Sequence, residues 1–349
     1  MSEILLRDWR AEDEAQIAAL WAKVFGTPRG GQTPAWLFRD GPAGPAVRAV
    51  AECAGRVVAH AGVAPLRFRL GGEIVRGGYS VGAMTDPAMQ GRGLFVRVGR
   101  HLYQRLEEQG FAFVAGFSNR RSHRLMTGPL GRTPIGPFPW CVRPLLPGRE
   151  AWRRRAGGTD DAPDAAAFAT ELELAGVRLA CAQPDDDRLD ALWARVAPTV
   201  TIGAVRDAGF AAWRYATRPD AGYELWIAER ADGAAAGALV LRMLTVRGLR
   251  FGFLVDLLVD PADPRAGRAL LRLAARRARA QGGVGLSALL PGAGPMRRAL
   301  LRAGFVRVPE RLHPQIIRFS VRGLGRWASR PELADPRAWL LSWADTDVV

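Results

Sequence analysis

The chain has 349 residues, 48% of them hydrophobic, enough for two domains with ordinary buried cores. No run of 18 apolar residues occurs, which excludes a membrane-spanning helix of the usual kind, and the first residues show no signal-peptide pattern. A net charge of +15 raises nucleic acid as a partner, but the basic residues are scattered arginines with Lys23 as the sole lysine. Their densest run, Arg153-Arg154-Arg155, is not interleaved with aromatics as a base-stacking surface would be. The 3 cysteines (Cys53, Cys141, Cys181) lie far apart and the 4 histidines form no sequence cluster. They read as reduced thiols of a cytoplasmic protein, with no metal-ligand spacing.

In chain order, residues 4–7 read as a strand and residues 13–25 as a helix. Trp36-Leu37-Phe38-Arg39-Asp40-Gly41-Pro42 precedes a strand closing at Ala51-Glu52, a turn at Ala54-Gly55 and a second strand over residues 57–64. A further strand, residues 78–85, closes in Thr85-Asp86-Pro87-Ala88 and leads through Met89-Gln90-Gly91-Arg92-Gly93-Leu94-Phe95 into a helix over residues 95–109. A glycine-rich turn between a strand end and a helix start points backbone N–H groups at an anion, and the helix dipole adds to the attraction. Gly91 and Gly93 have no Cβ, so a phosphate can approach the main chain. The turn lacks the Gly-Lys-Ser/Thr ending of a nucleotide-triphosphate loop and the Gly-x-Gly-x-x-Gly of a dinucleotide fingerprint. A strand over residues 111–117 then leads to Ser118-Asn119 and to Ser122-His123-Arg124-Leu125-Met126.

The same order recurs in the second half. Trp213-Arg214-Tyr215 repeats the Trp-x-aromatic pattern, Pro219 the proline, Ala228-Glu229 the strand end and Asp232-Gly233 the turn; a strand over residues 236–244 follows. Val259-Asp260-Pro261-Ala262 repeats the strand closure, followed by a helix over residues 269–281 and a strand over residues 284–290. Asp185-Asp186-Asp187 sits at a helix start as a cap. The stretch from Pro147 to Ala167, rich in Pro, Gly, Arg, Asp and Ala, marks a linker. The expected layout is a domain over residues 1–147, a linker over 148–167, a second domain over 168–325 and a tail over 326–349 whose apolar residues dock. Strand–turn–strand pieces imply antiparallel neighbours and strand–helix–strand pieces a parallel crossover.

Gln90-x-x-Gly93 after a strand closed by Asp-Pro resembles the acetyl-CoA signature of the GNAT acetyltransferase superfamily, Gln/Arg-x-x-Gly-x-Gly/Ala. Phe95 replaces the last small residue, a departure that resembles the branch containing the enhanced-intracellular-survival-like acetyltransferases. Leu6-Arg7 with residues 13–25 is similar to the family's opening strand and helix, and Leu300-Leu301-Arg302-Ala303-Gly304-Phe305 to its closing helix-Gly-Phe element. The resemblance implies an α/β fold of two tandem acetyltransferase-like domains, each a mixed, mostly antiparallel sheet flanked by helices. It also implies acetyl-CoA as co-substrate. The main chain of Ala83, Met84 and Thr85 would bond the pantetheine arm. Gln90, Gly91, Arg92, Gly93, Leu94, Phe95 and Val96 would hold the pyrophosphate, with Ser118 and Asn119 beside the arm. Arg92 reads equally as a solvated arginine and Asn119 as a helix N-cap.

The backbone N–H near Thr85 is expected to polarise the thioester. The family's tyrosine acid is missing; His123 or Met126 falls at its place, and His123 can titrate near neutral pH. Glu52, Asp86 and the terminal carboxylate of Val349 are further candidates for base or amine anchor. The second turn, Pro261 to Ala269, carries Asp263 and Pro264 and shows no match to Gly93 in a straightforward alignment, so the second half reads as degenerate for phosphate. The expected activity is acetyl-CoA-dependent N-acetyl transfer to a primary amine of a small molecule, amino sugar or peptide, without metal, membrane or nucleic acid. Oligomeric state is open. The alternatives are a non-catalytic acyl-CoA sensor, suggested by the missing tyrosine, and an acyl or aminoacyl transferase of envelope or secondary metabolism.

Overall fold

The computed structural model describes residues 3–26, 36, 38, 41–137, 139–145, 169–217, 222–289, 294–313 and 318–346. The chain divides into two compact units: Met1–Pro137 with Ile317–Pro336, and Phe138–Ile316 with Arg337–Val349. The expected linker and Val349 lie outside the described residues. Both units are mixed, mostly antiparallel sheets flanked by helices.

The first unit contains β1 (Ile4–Asp8), α1 (Glu14–Phe25), β2 (Val47–Cys53), β3 (Arg56–Leu70), β4 (Glu73–Thr85), α2 (Leu94–Glu108), β5 (Phe113–Ser118), α3 (Arg120–Thr127) and β6 (Thr133–Pro137). Much later in the chain comes β16 (Arg318–Gly323). The sheet order is β1-β2-β3-β4-β5-β16-β6. Every neighbour is antiparallel except β4 and β5, the two strands joined through α2. α2 is amphipathic. Leu94, Val98, Leu102 and Leu106 recur at helical spacing, are buried, and pack on Ala49, Ala59 and Val63 of β2 and β3. Burial of each such leucine contributes roughly 1.5–3 kcal/mol. α1 covers a different cluster, with Ile17 and Leu20 against Val50, Val57 and Met84.

The second unit holds β7 (Trp140–Pro144), β8 (Glu171–Leu174), β9 (Val177–Ala182), α4 (Arg188–Val196), β10 (Ile202–Ala204), β11 (Tyr223–Glu229), β12 (Ala235–Val246), β13 (Leu249–Val259), α5 (Pro264–Ala280), β14 (Gly285–Leu289), α6 (Gly294–Arg302) and β15 (Val306–Arg307). Its sheet runs β15-β7-β14-β13-β12-β11-β9-β8, again with one parallel pair, β13 and β14, across α5. Trp213 and Tyr215 of the repeated motif sit in a π-turn, Ala212–Ala216, that continues a short helical turn, Ala208–Ala211.

The units do not follow the sequential layout. β7, expected in the first domain, pairs with β14 in the second unit, and β16, expected in the second, pairs with β5 in the first. Each crossover strand has one parallel neighbour, and its other edge needs a partner to satisfy its main-chain groups. The chain supplies that partner from the far half in both cases. The expected tail is likewise divided at Pro336. Its last part docks in the second unit: Trp339, Leu341 and Trp343 are buried, and Arg206 Nη2 donates to Asp345 at 2.6 Å. Arg214 donates to the carbonyl oxygens of Ala344 and Thr346.

Candidate functional site

The first site element is a bulge. His60 lies opposite Met84 and Gly62 opposite Val81, so Gly82 and Ala83 of β4 face the single residue Ala61 of β3. Gly82 adopts φ +61°, the left-handed conformation that a bulge of this kind asks of a glycine. A Cβ there would also lie 3.0 Å from the Phe38 ring. The bulge shifts the register of β4 by one residue, after which Met84 and Thr85 rejoin the ladder opposite His60 and Ala59.

His60 holds that bulge. Its Nδ1 is 2.7 Å from the Gly82 carbonyl oxygen, and its Nε2 receives Arg48 Nε–H at 3.1 Å. A carbonyl only accepts and a guanidinium only donates, so the imidazole is neutral with its proton on Nδ1. Burial, and then the positive charge of Arg48, push its pKa down to about 3. Arg48 is itself held by Glu14 at 2.8 Å and stacks over the rings of Trp9 and Phe38.

The second element is a wedge. The parallel ladder of β4 and β5 ends at Tyr79 and Ala115, although β4 continues to Thr85 and β5 to Ser118. Beyond that pair the strands separate. The flank of β4 that carries Ala83, Met84 and Thr85 thus presents main-chain groups to the gap, where an added extended ligand can bond as a strand does. Thr85 Oγ1 is buried there without a hydrogen-bond partner among the described residues. A small cavity of about 20 Å³ lies beside the bulged end of β4, walled by Ala83 and Met84, Phe95 and Val98 of α2, and Met126 of α3.

The third element is the turn at the head of α2. Asp86 accepts Ala88 N–H at 2.9 Å and closes the short turn Pro87–Met89. Lys23 anchors Asp86 at 2.7 Å, and that contact holds the carboxyl below the usual aspartate range. Gly91 and Gly93 take φ +80° and +69°, with open space where a Cβ would stand. Gly93 is the N-cap of α2. The first helical N–H donors, Val96 and Arg97, both reach its carbonyl, so the amides just before them have no intrahelical partner. Gln90, Gly91, Arg92 and Gly93 are exposed, whereas the Leu94 side chain belongs to the core. The concave run of amides and the helix dipole make an anion cradle.

Ser118, Asn119 and His123 lie on the other flank. The Asn119 side-chain oxygen accepts from Arg121 N–H and Ser122 N–H, both at 3.0 Å, and so caps α3. Arg121 Nη2 reaches across to Gln90 Oε1 at 2.7 Å and ties the two flanks together. Ser118 Oγ donates to Arg318 O at 3.2 Å, and His123 Nδ1 lies 3.0 Å from Ser118 Oγ. With the serine proton used, Nδ1–H of His123 donates and Nε2 keeps its lone pair. Burial, with the nearby Arg318 charge, lowers the His123 pKa. Met126, the other residue at the tyrosine's expected place, is buried in the cavity wall. Glu52 is not brought to the wedge: it pairs with Arg7 at 2.8 Å on the β1–β2 side.

In the second unit the ladder of β13 and β14 also opens, after Phe253 and Ser287. Asp260 accepts from Ala262 N–H at 2.9 Å, as Asp86 does from Ala88. Counted from these two aspartates, Gly267 corresponds to Gly93, which corrects the simple alignment. However, α5 already begins at Pro264, so Gly267 lies inside the helix, where a Cβ would meet Val259 at 3.0 Å. The residues that form an amide cradle in the first unit are helix in the second, and Pro264 removes a donor. A cavity of about 310 Å³ nevertheless lies beside Leu257, Val259, Met296 and Trp339.

Sequence reading alone missed His60 and Arg48, and also Arg132, whose Nε donates to Tyr103 Oη at 2.6 Å and whose Nη2 donates to Ser80 Oγ. Their partners lie far along the chain, and no local motif marks them. Among the described residues no group of three or more His, Cys, Asp or Glu is arranged to hold a metal ion.

A mixed sheet with one parallel pair, a bulged strand and a glycine turn at the head of the crossover helix define an acyltransferase fold of the GNAT type. Residues 6–125 match the family model described as an acetyltransferase (GNAT) domain. No curated protein matches the chain in sequence. Among solved structures, a GCN5-related N-acetyltransferase from Anabaena variabilis is similar over 93% of this chain and 73% of its own, with 13% identity and a TM-score of 0.66. One from Kribbella flavida is similar over 92% and 71%, with 16% identity and a TM-score of 0.62. The N-myristoyltransferase of Saccharomyces cerevisiae with bound myristoyl-CoA is similar over 92% and 83%, with 12% identity and a TM-score of 0.57. At these identities the likeness is one of fold. No described helix is long and apolar enough to cross a membrane.

Proposed function

We propose that the first unit binds an acyl-CoA and transfers its acyl group to a primary amine. The observation that carries this reading is the wedge beside the bulged end of β4, which leads directly to the Gly91–Gly93 cradle. The pyrophosphate would take the amides from Gly91 to Phe95, the Val96 N–H expected among them being bonded to the Gly93 carbonyl, with Arg92 at the rim and Gln90 held by Arg121. The pantetheine would lie along Ala83, Met84 and Thr85, with Ser118 and Asn119 on the facing flank. The thioester carbonyl would accept from the main chain near Thr85.

In the transfer itself the amine nitrogen attacks the thioester carbon, an amide C–N bond forms, and the C–S bond breaks. The amine loses its proton and the leaving thiolate gains one. A neutral imidazole with a depressed pKa is suited to take the first proton, which assigns His123 Nε2 as general base rather than acid. The acceptor is a small-molecule amine, an amino sugar or a peptide amine. Acetyl-CoA is the reference donor from the family likeness, and Phe95 in the cavity wall is the residue on which likeness to the enhanced-intracellular-survival-like branch rests. The altered head of α5 supports a second unit that does not bind pyrophosphate. The three free cysteines fit a reducing cytoplasm.

Calorimetric titration with acetyl-CoA, followed by thiol release against an amine library, tests the reading. Binding with turnover supports it. Binding without turnover on any amine leaves a CoA sensor, and absence of binding removes the assignment.

A further inference from the structure

The second unit keeps a cleft where the first has its wedge, with different walls. Its cavity of about 310 Å³ is bounded by residues 257–259 of β13, by Pro264 and Gly267 at the head of α5, and by Met296 and Ala299 of α6. In chain order these elements correspond to β4, α2 and α3, which wall the small cavity of the first unit. The amide cradle is missing, since α5 already begins at Pro264. The remaining wall comes from the docked last segment. Ile202 N–H donates to the Ala338 carbonyl at 2.9 Å and Leu340 N–H to the Ile202 carbonyl at 2.7 Å. These bonds fix Trp339 and Leu340 as one side of a preformed cavity.

Burial sorts the walls. Val196, Val200, Leu257, Leu258 and Trp339 are buried, whereas Thr199, Thr201 and Arg337 are exposed. An apolar base thus opens to a polar rim, the arrangement that suits an amphiphile. Asp260 is the one acid in the wall. Its Oδ2 accepts from Arg195 Nε and from Arg230 Nη2, both at 2.6 Å. Two guanidinium groups against one carboxylate, with Arg337 at the rim, leave the surroundings positive, so an anionic head is favoured over a cationic one. An apolar cavity of about 150 Å³ holds one benzene, and about twice that volume holds a chain of about ten carbons.

We propose that the second unit binds a medium-chain fatty carboxylate, with an aliphatic chain of about ten carbons in the apolar base and the carboxylate at the Arg337 rim. The site does not depend on the acyl-CoA reading, because every wall named belongs to the second unit. The half without a phosphate cradle thereby has a ligand of its own.

Calorimetry on the full chain, below micellar concentrations, compares hexanoate, octanoate, decanoate and tetradecanoate, with decanol and decylammonium as head-group controls. Affinity is expected to rise about fourfold per methylene up to decanoate, as each is buried in the cavity, and to level off beyond it. Decanoate should bind roughly tenfold or more tighter than decylammonium, with decanol between. Ala299→Phe fills the cavity from α6 and should weaken decanoate binding by roughly tenfold or more. Should it not fold, Met296→Trp fills the cavity from the same helix, and the chain-length and head-group series decide without either variant. Excess CoA should leave decanoate binding unchanged. Absence of decanoate binding, equal affinity for decanoate and decylammonium, or displacement of decanoate by CoA overturns the inference. None of these results touches acetyl-CoA binding by the first unit, and failure of acetyl-CoA to bind leaves this site standing.

Discussion

His60 donates Nδ1–H to the carbonyl oxygen of Gly82 at 2.7 Å. A fully buried, neutral imidazole on β3 thereby pins the left-handed residue of the bulge on β4, and through it the direction of Ala83, Met84 and Thr85. The pair is a positioning device: neither residue needs to touch a substrate to determine how the end of β4 faces the wedge.

The same pair makes stability depend on pH. In the unfolded chain His60 titrates near 6.5, and in the fold near 3. The unfolded state thus binds the extra proton between these values, so stability contributed by neutral His60 is present above 6.5 and is lost as pH falls toward 3. The slope is about 1.4 kcal/mol per pH unit inside that window. Urea unfolding of the wild type and of His60→Gln at pH 7, 6 and 5 checks this; the wild-type slope between pH 6 and 5 should exceed the variant's. A wild-type stability that stays flat over that interval contradicts the neutral assignment.

Gly82→Ala meets two penalties at once. A residue with a Cβ at φ +61° costs roughly 1–2 kcal/mol, and the added atom must displace the Phe38 ring, 3.0 Å away. A lowered melting temperature together with weaker acetyl-CoA binding is expected. Unaltered binding in a destabilised but folded variant would show that the bulge does not orient the strand end for the ligand.

Gly93→Asp separates the cradle from the fold. Aspartate tolerates the left-handed region better than most residues, and open space surrounds the position, so the melting temperature should fall only slightly. A carboxylate at the head of α2 repels a pyrophosphate, and CoA affinity should fall by about tenfold or more, since each tenfold is 1.4 kcal/mol. Undiminished binding refutes the cradle.

His123→Ala tests the base. The pKa of His123 is lowered in the fold, so the neutral, proton-accepting form persists below pH 6.5 and the acid limb of the rate profile should lie under that value. The variant should lose roughly 10²-fold in kcat and lose that limb, with CoA affinity retained. Wild-type turnover of an identified amine by the variant rules the role out.

Asp345→Ala probes the docked end of the second unit. The Asp345 side chain is fully shielded and meets Arg206 at 2.6 Å. Its removal leaves a buried guanidinium short of one partner, a loss of about 3–5 kcal/mol. Differential scanning calorimetry should show it, and a change below 1 kcal/mol, the median value of an exposed pair, would mean that this contact does not hold the segment down.

The cradle was legible in the sequence because its physics is local. Gly91 and Gly93 between a strand end and a helix start describe an amide-lined turn from residue types and spacing alone, and Asn119 was readable as a cap for the same reason. Apolar runs closed by turn residues likewise marked β1 to β5 and β11 to β14. They marked neither β7 nor β16, and the residues of a short strand do not say which sheet it completes. Nor did they show why Gly267 is not a second Gly93. Glycine occurs at both positions, and only the earlier start of α5 turns one into helix interior.

What the sequence determined by itself, then, is the order of elements and the chemistry of short turns, since both depend on neighbours a few residues away. The tertiary structure decided which groups meet: His60 with Gly82, Ser118 with His123, and Arg132 with Tyr103 and Ser80. Such contacts join strands and loops set by sheet register and by chain crossover. Burial then changes their chemistry, holding one histidine neutral in a way that no reading of residue types along the chain contains.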